Sequence, residues 1–176
     1  MINNGVELKS MTYNGQEVKT WVHNDVEVWA SAVPFYWVKG GVVQSGMPTK
    51  WNVSRMEPMN SSWASSGENS VSRLAACAPN TSNLILQLST DAIPTQGNKY
   101  MEITMYSAGI ITSASGNGGQ LINFTAGGVD VTSQVKGGAV IKVDVSSKTS
   151  VNLYVDMRAW AWNWVYFYIE QIRFYS

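Results

Sequence analysis

From residue 84 onward the chain alternates apolar and polar positions. Leu84, Leu86 and Leu88 point one way, with Asn83, Ile85 and Gln87 opposite. Met101, Ile103 and Met105 oppose Tyr100, Glu102, Thr104 and Tyr106; Ile141, Val143 and Val145 oppose Lys142 and Asp144; Val151, Leu153, Val155 and Met157 oppose Asn152, Tyr154, Asp156 and Arg158. A period of two is the mark of half-buried antiparallel strands. Between these runs fall turn signals: Lys39-Gly40-Gly41, the stretch 113–119, Ala126-Gly127-Gly128, Lys136-Gly137-Gly138 and Ser146-Ser147-Lys148. The Gly-rich run 115–119 reads as a hairpin tip, because no basic residue or helix start follows it. Residues 54–83, rich in Ser, Asn and Met, read as a long loop with a short strand near Val71 to Ala76. The closing segment, Trp164 to Tyr175, is apolar on both faces, as a central strand would be. Helical periodicity is absent after Val33-Pro34, so the second part is expected to be a β-sandwich or jelly roll.

The first part carries a different pattern. Asn4-Gly5-Val6-Glu7-Leu8 recurs as Asn14-Gly15-Gln16-Glu17-Val18 and as Asn24-Asp25-Val26-Glu27-Val28, a period of ten residues. Asn-Gly between short alternating runs is a strong hairpin signal, because both residues tolerate positive φ. Three or four short strands in one antiparallel meander are therefore expected over residues 1–33. Val6, Leu8, Val18, Val22, Val26 and Val28 all fall on even positions. If the strands share one sheet, a three-residue loop at Tyr13-Asn14-Gly15 keeps them on one face by pairing Thr12 with Gln16 and Val6 with Val22. A two-residue loop, pairing Thr12 with Glu17, mixes the faces. So small a sheet cannot bury both faces alone. Val6, Leu8, Val18, Trp21, Val28 and Trp29 are thus expected to dock onto another surface or another copy of the chain. The blander alternative is a hairpin extension lying on its own domain. The expected division is 1–33, a docking or oligomerisation segment, and 34–176, the sandwich.

Composition narrows the function classes. The 176 residues carry 12 Lys+Arg against 12 Asp+Glu, with no net charge, so the basic footprint of a nucleic-acid or anionic-membrane binder is missing. Charged residues are 14% of the chain, below the usual quarter or so, and eight Trp and eight Tyr are many for this length. Cys77 is the single cysteine, which rules out an internal disulfide framework. The N-terminal stretch shows neither a basic nor an apolar leader region, so no signal peptide is expected. The longest apolar stretch, 159–169, is too short to span a bilayer as a helix.

Units of the form Tyr-x-Asn-Gly-x-Glu-Val-x-x-(Trp/Tyr), here from Met11 to Ala32 with an echo at Asn4, resemble those of tail and other virion proteins of bacteriophages and prophages, especially from gut Firmicutes. In such proteins the decapeptides precede a β-sandwich similar to galactose-binding-like carbohydrate modules. The third unit departs from the pattern, with His23 for the aromatic and Asp25 for Gly. Tyr168-Ile-Glu-Gln-Ile-Arg-Phe also resembles the closing strand of galactose-binding-like jelly rolls, although Glu170 stands where Asp is commoner. The resemblance implies assembly in a virion after synthesis in the host bacterium, with itself and other virion proteins as partners and a cell-surface glycan as a ligand.

Candidate chemistry adds little to this. His23, the only histidine, occupies the position of Tyr13 in the repeat and reads as an exposed strand residue. Cys77 lies among small apolar residues and reads as an inert buried thiol. Glu102, Asp144, Asp156 and Glu170 would serve glycosidase chemistry if two of them converged, but each is already explained as the polar partner in a strand. The expectation is no catalytic residue, no metal ligand and no cofactor. The jelly-roll resemblance leaves a structural calcium open, and no oxygen-ligand cluster in the sequence supports one. Trp160, Trp162 and Trp164 would share a face in one extended strand, as core, as subunit contact or as a stacking platform for sugar rings. Trp51 and Trp63 fall in the expected loop and are the better candidates for exposed recognition. The chain thus reads as an all-β, non-enzymatic phage or prophage structural or adhesion protein, forming a homo-oligomer. The alternative is a free-standing bacterial carbohydrate-binding module.

Overall fold

In the computed structural model the described residues are 32–57, 69–77, 83–111, 119–160 and 164–176, together with the strand backbones between 2 and 30. Contacts divide the chain into two units, 1–33 and 34–176.

The first unit consists of hairpins. β1 (Ile2–Asn3) pairs with β2 (Val6–Glu7), β3 (Thr12–Tyr13) with β4 (Gln16–Glu17), and β5 (Thr20–His23) with β6 (Val26–Ala30). The innermost pairs are Asn3 with Val6, Tyr13 with Gln16 and His23 with Val26, so two residues separate the strands each time. This corrects two expectations. Thr12 pairs with Glu17, not Gln16, and no strand of one hairpin pairs with another among the described residues, so Val6 does not meet Val22. The parity argument required one shared sheet. With separate two-stranded sheets no common face has to be kept, and the two-residue loop that matches strand twist prevails. Leu8 and Val18, and the side chains of Val6, Trp21, Val28 and Trp29, lie outside the described residues.

The second unit is an all-β, antiparallel sandwich. Its strands are β7 (Phe35–Lys39), β8 (Val42–Val43), β9 (Asn52–Glu57), β10 (Asn69–Ser70), β11 (Arg73–Cys77), β12 (Asn83–Ser89), β13 (Ile93–Pro94), β14 (Tyr100–Ile111), β15 (Gln120–Ala126), β16 (Val129–Asp130), β17 (Val140–Asp144), β18 (Ser150–Val151), β19 (Leu153–Trp160) and β20 (Trp164–Tyr175). One sheet has seven strands in the order β10-β11-β20-β14-β17, with β7 also pairing β20 and β8 pairing β7. The other has five, in the order β16-β15-β19-β12-β9. A single 3-10 turn, Thr132–Gln134, is the helical element among the described residues.

The alternating apolar positions meet between the sheets. Leu84, Leu86, Leu88, Val155 and Met157 from the five-stranded sheet face Met101, Ile103, Ile141, Phe167 and Ile172 from the other, all buried. Burying each such side chain contributes about 1.5–3 kcal/mol. Phe167 is the hinge of the packing: Phe124 meets it edge-on at 5.4 Å and Trp51 at 5.9 Å. The double-glycine turns appear where expected. Gly40 and Gly41 link β7 to β8, and Gly127 and Gly128 link β15 to β16, all with positive φ.

Other expectations change. Residues 54–57, expected as the start of a loop, belong to β9, because β12 offers an edge and pairs with it from Asn52 to Glu57. The strands that flank the expected hairpin tip at 115–119, β14 and β15, belong to different sheets and do not pair with each other. Residues 112–118 themselves lie outside the described set. β20 is central, as expected, flanked by β14 on one side and by β11 and β7 on the other.

Candidate functional site

β20 is amphipathic, not apolar all round. Val165, Phe167 and Ile169 are buried, while Tyr166 and Tyr168 face outward, half exposed. Along one side of β20, β11 ends its pairing at Tyr168 and β7 begins at Ile172, so the sheet is interrupted between them. Two backbone bonds bridge the gap: the Ile169 N–H donates to the Ser72 carbonyl and the Gly41 N–H to the Glu170 carbonyl, both at 2.7 Å. On the other side, β14 pairs Thr104 with Gln171, Met105 with Ile169 and Ser107 with Tyr168. Glu170 and Tyr106 are therefore each left over, two β-bulges on adjacent strands. Bulges re-aim side chains, and here they leave Glu170 exposed and Tyr106 at 73% exposure.

The interruption and the bulges frame an open pocket of about 420 Å³ lined by Gly40, Gly41, Ser72, Arg73, Tyr106, Tyr168, Ile169 and Glu170. Gly40 and Gly41 form its rim because only their positive φ makes so tight a turn beside β20. The Arg73 guanidinium lies 5.8 Å from the centre of the Tyr168 ring. Such a pocket offers aromatic faces for C–H groups, guanidinium donors and a carboxylate acceptor.

The same sheet face continues as a row of tyrosines with cations on them. Lys142 Nζ sits 3.6 Å from the Tyr100 ring centre, Arg173 lies 4.8 Å from Tyr175, and Lys39 lies 5.0 Å from Tyr36. Tyr100 and Tyr175 approach to 5.6 Å, as do Tyr166 and Tyr168. Glu102 accepts from Arg173 Nε at 2.9 Å and from the Tyr175 hydroxyl at 3.3 Å. The bond to Glu102 holds the Arg173 guanidinium above its ordinary value. Rings held this way keep fixed orientations, which lowers the entropy lost when a ligand packs on them.

The carboxylates singled out in the sequence are divided between the two sheets. Glu102, Asp144 and Glu170 belong to the seven-stranded sheet and Asp156 to the five-stranded one. Glu102 is engaged by Arg173. Asp144 accepts the Ser146 N–H at 2.9 Å, and the Ser146 hydroxyl and N–H hold its carboxyl below 3.8, the usual value. Among the described residues no group of three or more His, Cys, Asp or Glu is placed to hold a metal ion.

Trp51 is 2% exposed, and its indole N–H donates to the Ser70 carbonyl at 3.0 Å. It is a core residue, which corrects the expectation of an exposed ligand contact. It immediately precedes β9, and Phe167 supplies its apolar partner. Trp63 and Trp162 lie outside the described residues, as do the side chains of Trp160 and Trp164. Trp160 ends β19 in one sheet and Trp164 opens β20 in the other, so one extended strand does not carry the three indoles. The backbones of His23 and Cys77 are in strands, and their side chains are outside the described set.

Sequence reasoning missed Tyr106, Tyr168 and Arg73 as neighbours. The alternation of Tyr166 and Tyr168 with buried Val165, Phe167 and Ile169 was a legible signal for an outward tyrosine row. The two bulges had none. Compared with family models, curated proteins and solved structures, the chain matches none.

Proposed function

We propose that the sandwich is a non-catalytic glycan-recognition module of a phage or prophage appendage, with residues 1–33 as its assembly segment. The observation that carries the glycan reading is the pocket where Tyr106, Tyr168, Arg73 and Glu170 converge at two facing bulges. Aromatic faces with a few polar groups at an open depression suit a pyranose, whose C–H groups pack on the ring while its hydroxyls bond to the guanidinium and carboxylate. The assembly reading rests on the decapeptide resemblance and on physics: a two-stranded hairpin is marginal alone and gains stability against another surface. Its partners are further copies of the chain and other virion proteins.

Titration of the protein with a panel of bacterial surface oligosaccharides tests the first half. Binding is expected, and Tyr168→Ala is expected to weaken it about tenfold or more, roughly the 1.4 kcal/mol of a lost aromatic contact. Unchanged affinity in Tyr168→Ala overturns the assignment to this pocket. Light scattering on the chain with and without residues 1–33 tests the second half. A closed oligomer that becomes a monomer on removal supports assembly. A monomer in both forms leaves the free-standing carbohydrate module as the reading.

A further inference from the structure

The opposite face of the sandwich holds a second arrangement. In β19, Leu153, Val155, Met157 and Ala159 are buried in the core, so Tyr154, Asp156 and Arg158 lie on the outward face. Residues on an open sheet face are ordinarily hydrated, yet Asp156 is only 8% exposed. Its Oδ2 accepts from Gln87 Nε2 at 2.8 Å. Its Oδ1 is buried without a hydrogen-bond partner, and so is Arg158 Nε. A buried carboxylate oxygen without a donor is costly, and cost of this kind is tolerated where another molecule completes the set.

The two orphan atoms are complementary, one acceptor and one donor. They sit two residues apart on one strand face, a span of about 7 Å along the chain. Gln87 on β12 and Asn123 on β15 stand opposite Asp156, and Arg55 on β9 stands opposite Gln87. Arg55 and Glu57 pair with each other at 2.8 Å, which leaves Asp156 and Arg158 to balance in charge. An anion would meet the Asp156 carboxylate and a cation the Arg158 guanidinium. A neutral ligand rich in hydroxyls can give a proton to one and accept from the other. Burial, and then the nearby Asp156, keep the Tyr154 phenol above its ordinary value, so it stays neutral beside the site.

We propose that this face is a second ligand site, for neutral hexopyranosides, in which Asp156 Oδ1 accepts from one sugar hydroxyl and Arg158 Nε donates to another. Gln87 and Arg158 are long, partly exposed side chains, and a change of rotamer in either would open the way to Oδ1. The site lies on a different sheet from the tyrosine pocket and stands or falls separately from it.

The test is amide chemical-shift mapping on the full isotope-labelled chain. The probes are methyl β-galactopyranoside, methyl α-glucopyranoside and methyl α-mannopyranoside, each added separately. At least one is expected to give saturable shifts in β12, β15 and β19 around Asp156, with a millimolar Kd. Asp156→Asn is expected to weaken those shifts about tenfold without lowering Tm, because its amide oxygen can keep the bond from Gln87 and the atom that changes has no protein partner to lose. Should that variant fold poorly, Arg158→Lys keeps the charge, removes the Nε–H donor and is expected to weaken binding in the same sense. Tyr168→Ala should leave these shifts intact. Saturable shifts confined to the tyrosine pocket, or none with any of the three sugars, would overturn the proposal and leave the two atoms to ordered solvent.

Discussion

At the residue scale, the side chains that matter most combine burial with a hydrogen bond. Trp51 fills the space beside Phe167 and satisfies the Ser70 carbonyl. Trp51→Ala is expected to cost about 3–5 kcal/mol, read as a lower urea midpoint. Three titrating residues add pH dependence, two in acid and one in alkali. The hydroxyl of Thr132, then its backbone N–H, hold Asp130 below 3.8, and Ser146 does the same for Asp144. Both carboxylates ionise more readily folded than unfolded. Their contribution is present above pH 3.8 and is lost as pH falls through the lower folded values. Tyr154 behaves in the opposite sense. Burial first, and Asp156 second, raise it above 10.0, so the unfolded chain loses that proton before the folded one does. Stability from Tyr154 is complete below pH 10 and declines as pH rises through its folded value. Tyr154→Phe is expected to flatten the alkaline limb of a Tm–pH curve and leave the acid limb alone; an unchanged alkaline limb would contradict this assignment.

At the element scale, β20 and β14 run side by side through the middle of the seven-stranded sheet, and β9 and β17 are edges. The edges are guarded by Lys142 on β17 and by Arg55, Glu57 and a bulge on β9, devices that discourage strand addition. Hydrogen exchange is therefore expected to be slowest in the shared stretch of β14 and β20 and fastest in β9. Thr90, just after β12, is a second pinning point. Its buried hydroxyl oxygen accepts the Leu153 N–H at 3.0 Å, and its own N–H donates to the Leu153 carbonyl. Thr90→Val keeps the volume and orphans the Leu153 N–H, with an expected cost of about 1–3 kcal/mol in chemical denaturation. Alternation revealed β12, β14, β17 and β19, with their inward residues, because a period of two is a local property. The fate of residues 54–57 and the separation of β14 from β15 depended on which sheet a neighbour joined, which no local pattern encodes. The candidate pocket was legible only in its outward tyrosines. Its bulges arise from strand register, a tertiary property.

At the scale of the whole molecule, the sandwich turns two unlike faces to its surroundings. One is a tyrosine sheet carrying Lys142, Arg173, Lys39 and Arg73 against its rings. The other is a polar face centred on Asp156. Among the described residues the buried hydrophobic cluster lies within 37–174, and a form lacking 1–33 is expected to unfold cooperatively with a Tm close to that of the full chain. Calorimetry on both forms checks this, and a large fall in Tm would mean that the hairpins brace the sandwich.

The hairpins have one more consequence. Among the described residues each strand of this segment pairs only within its own hairpin, from Asn3 with Val6 to His23 with Val26. Among the described residues a unit can thus be gained or lost without shifting the register of another hairpin. Length in this segment can vary in whole steps, like links in a chain, while the sandwich behind it stays the same.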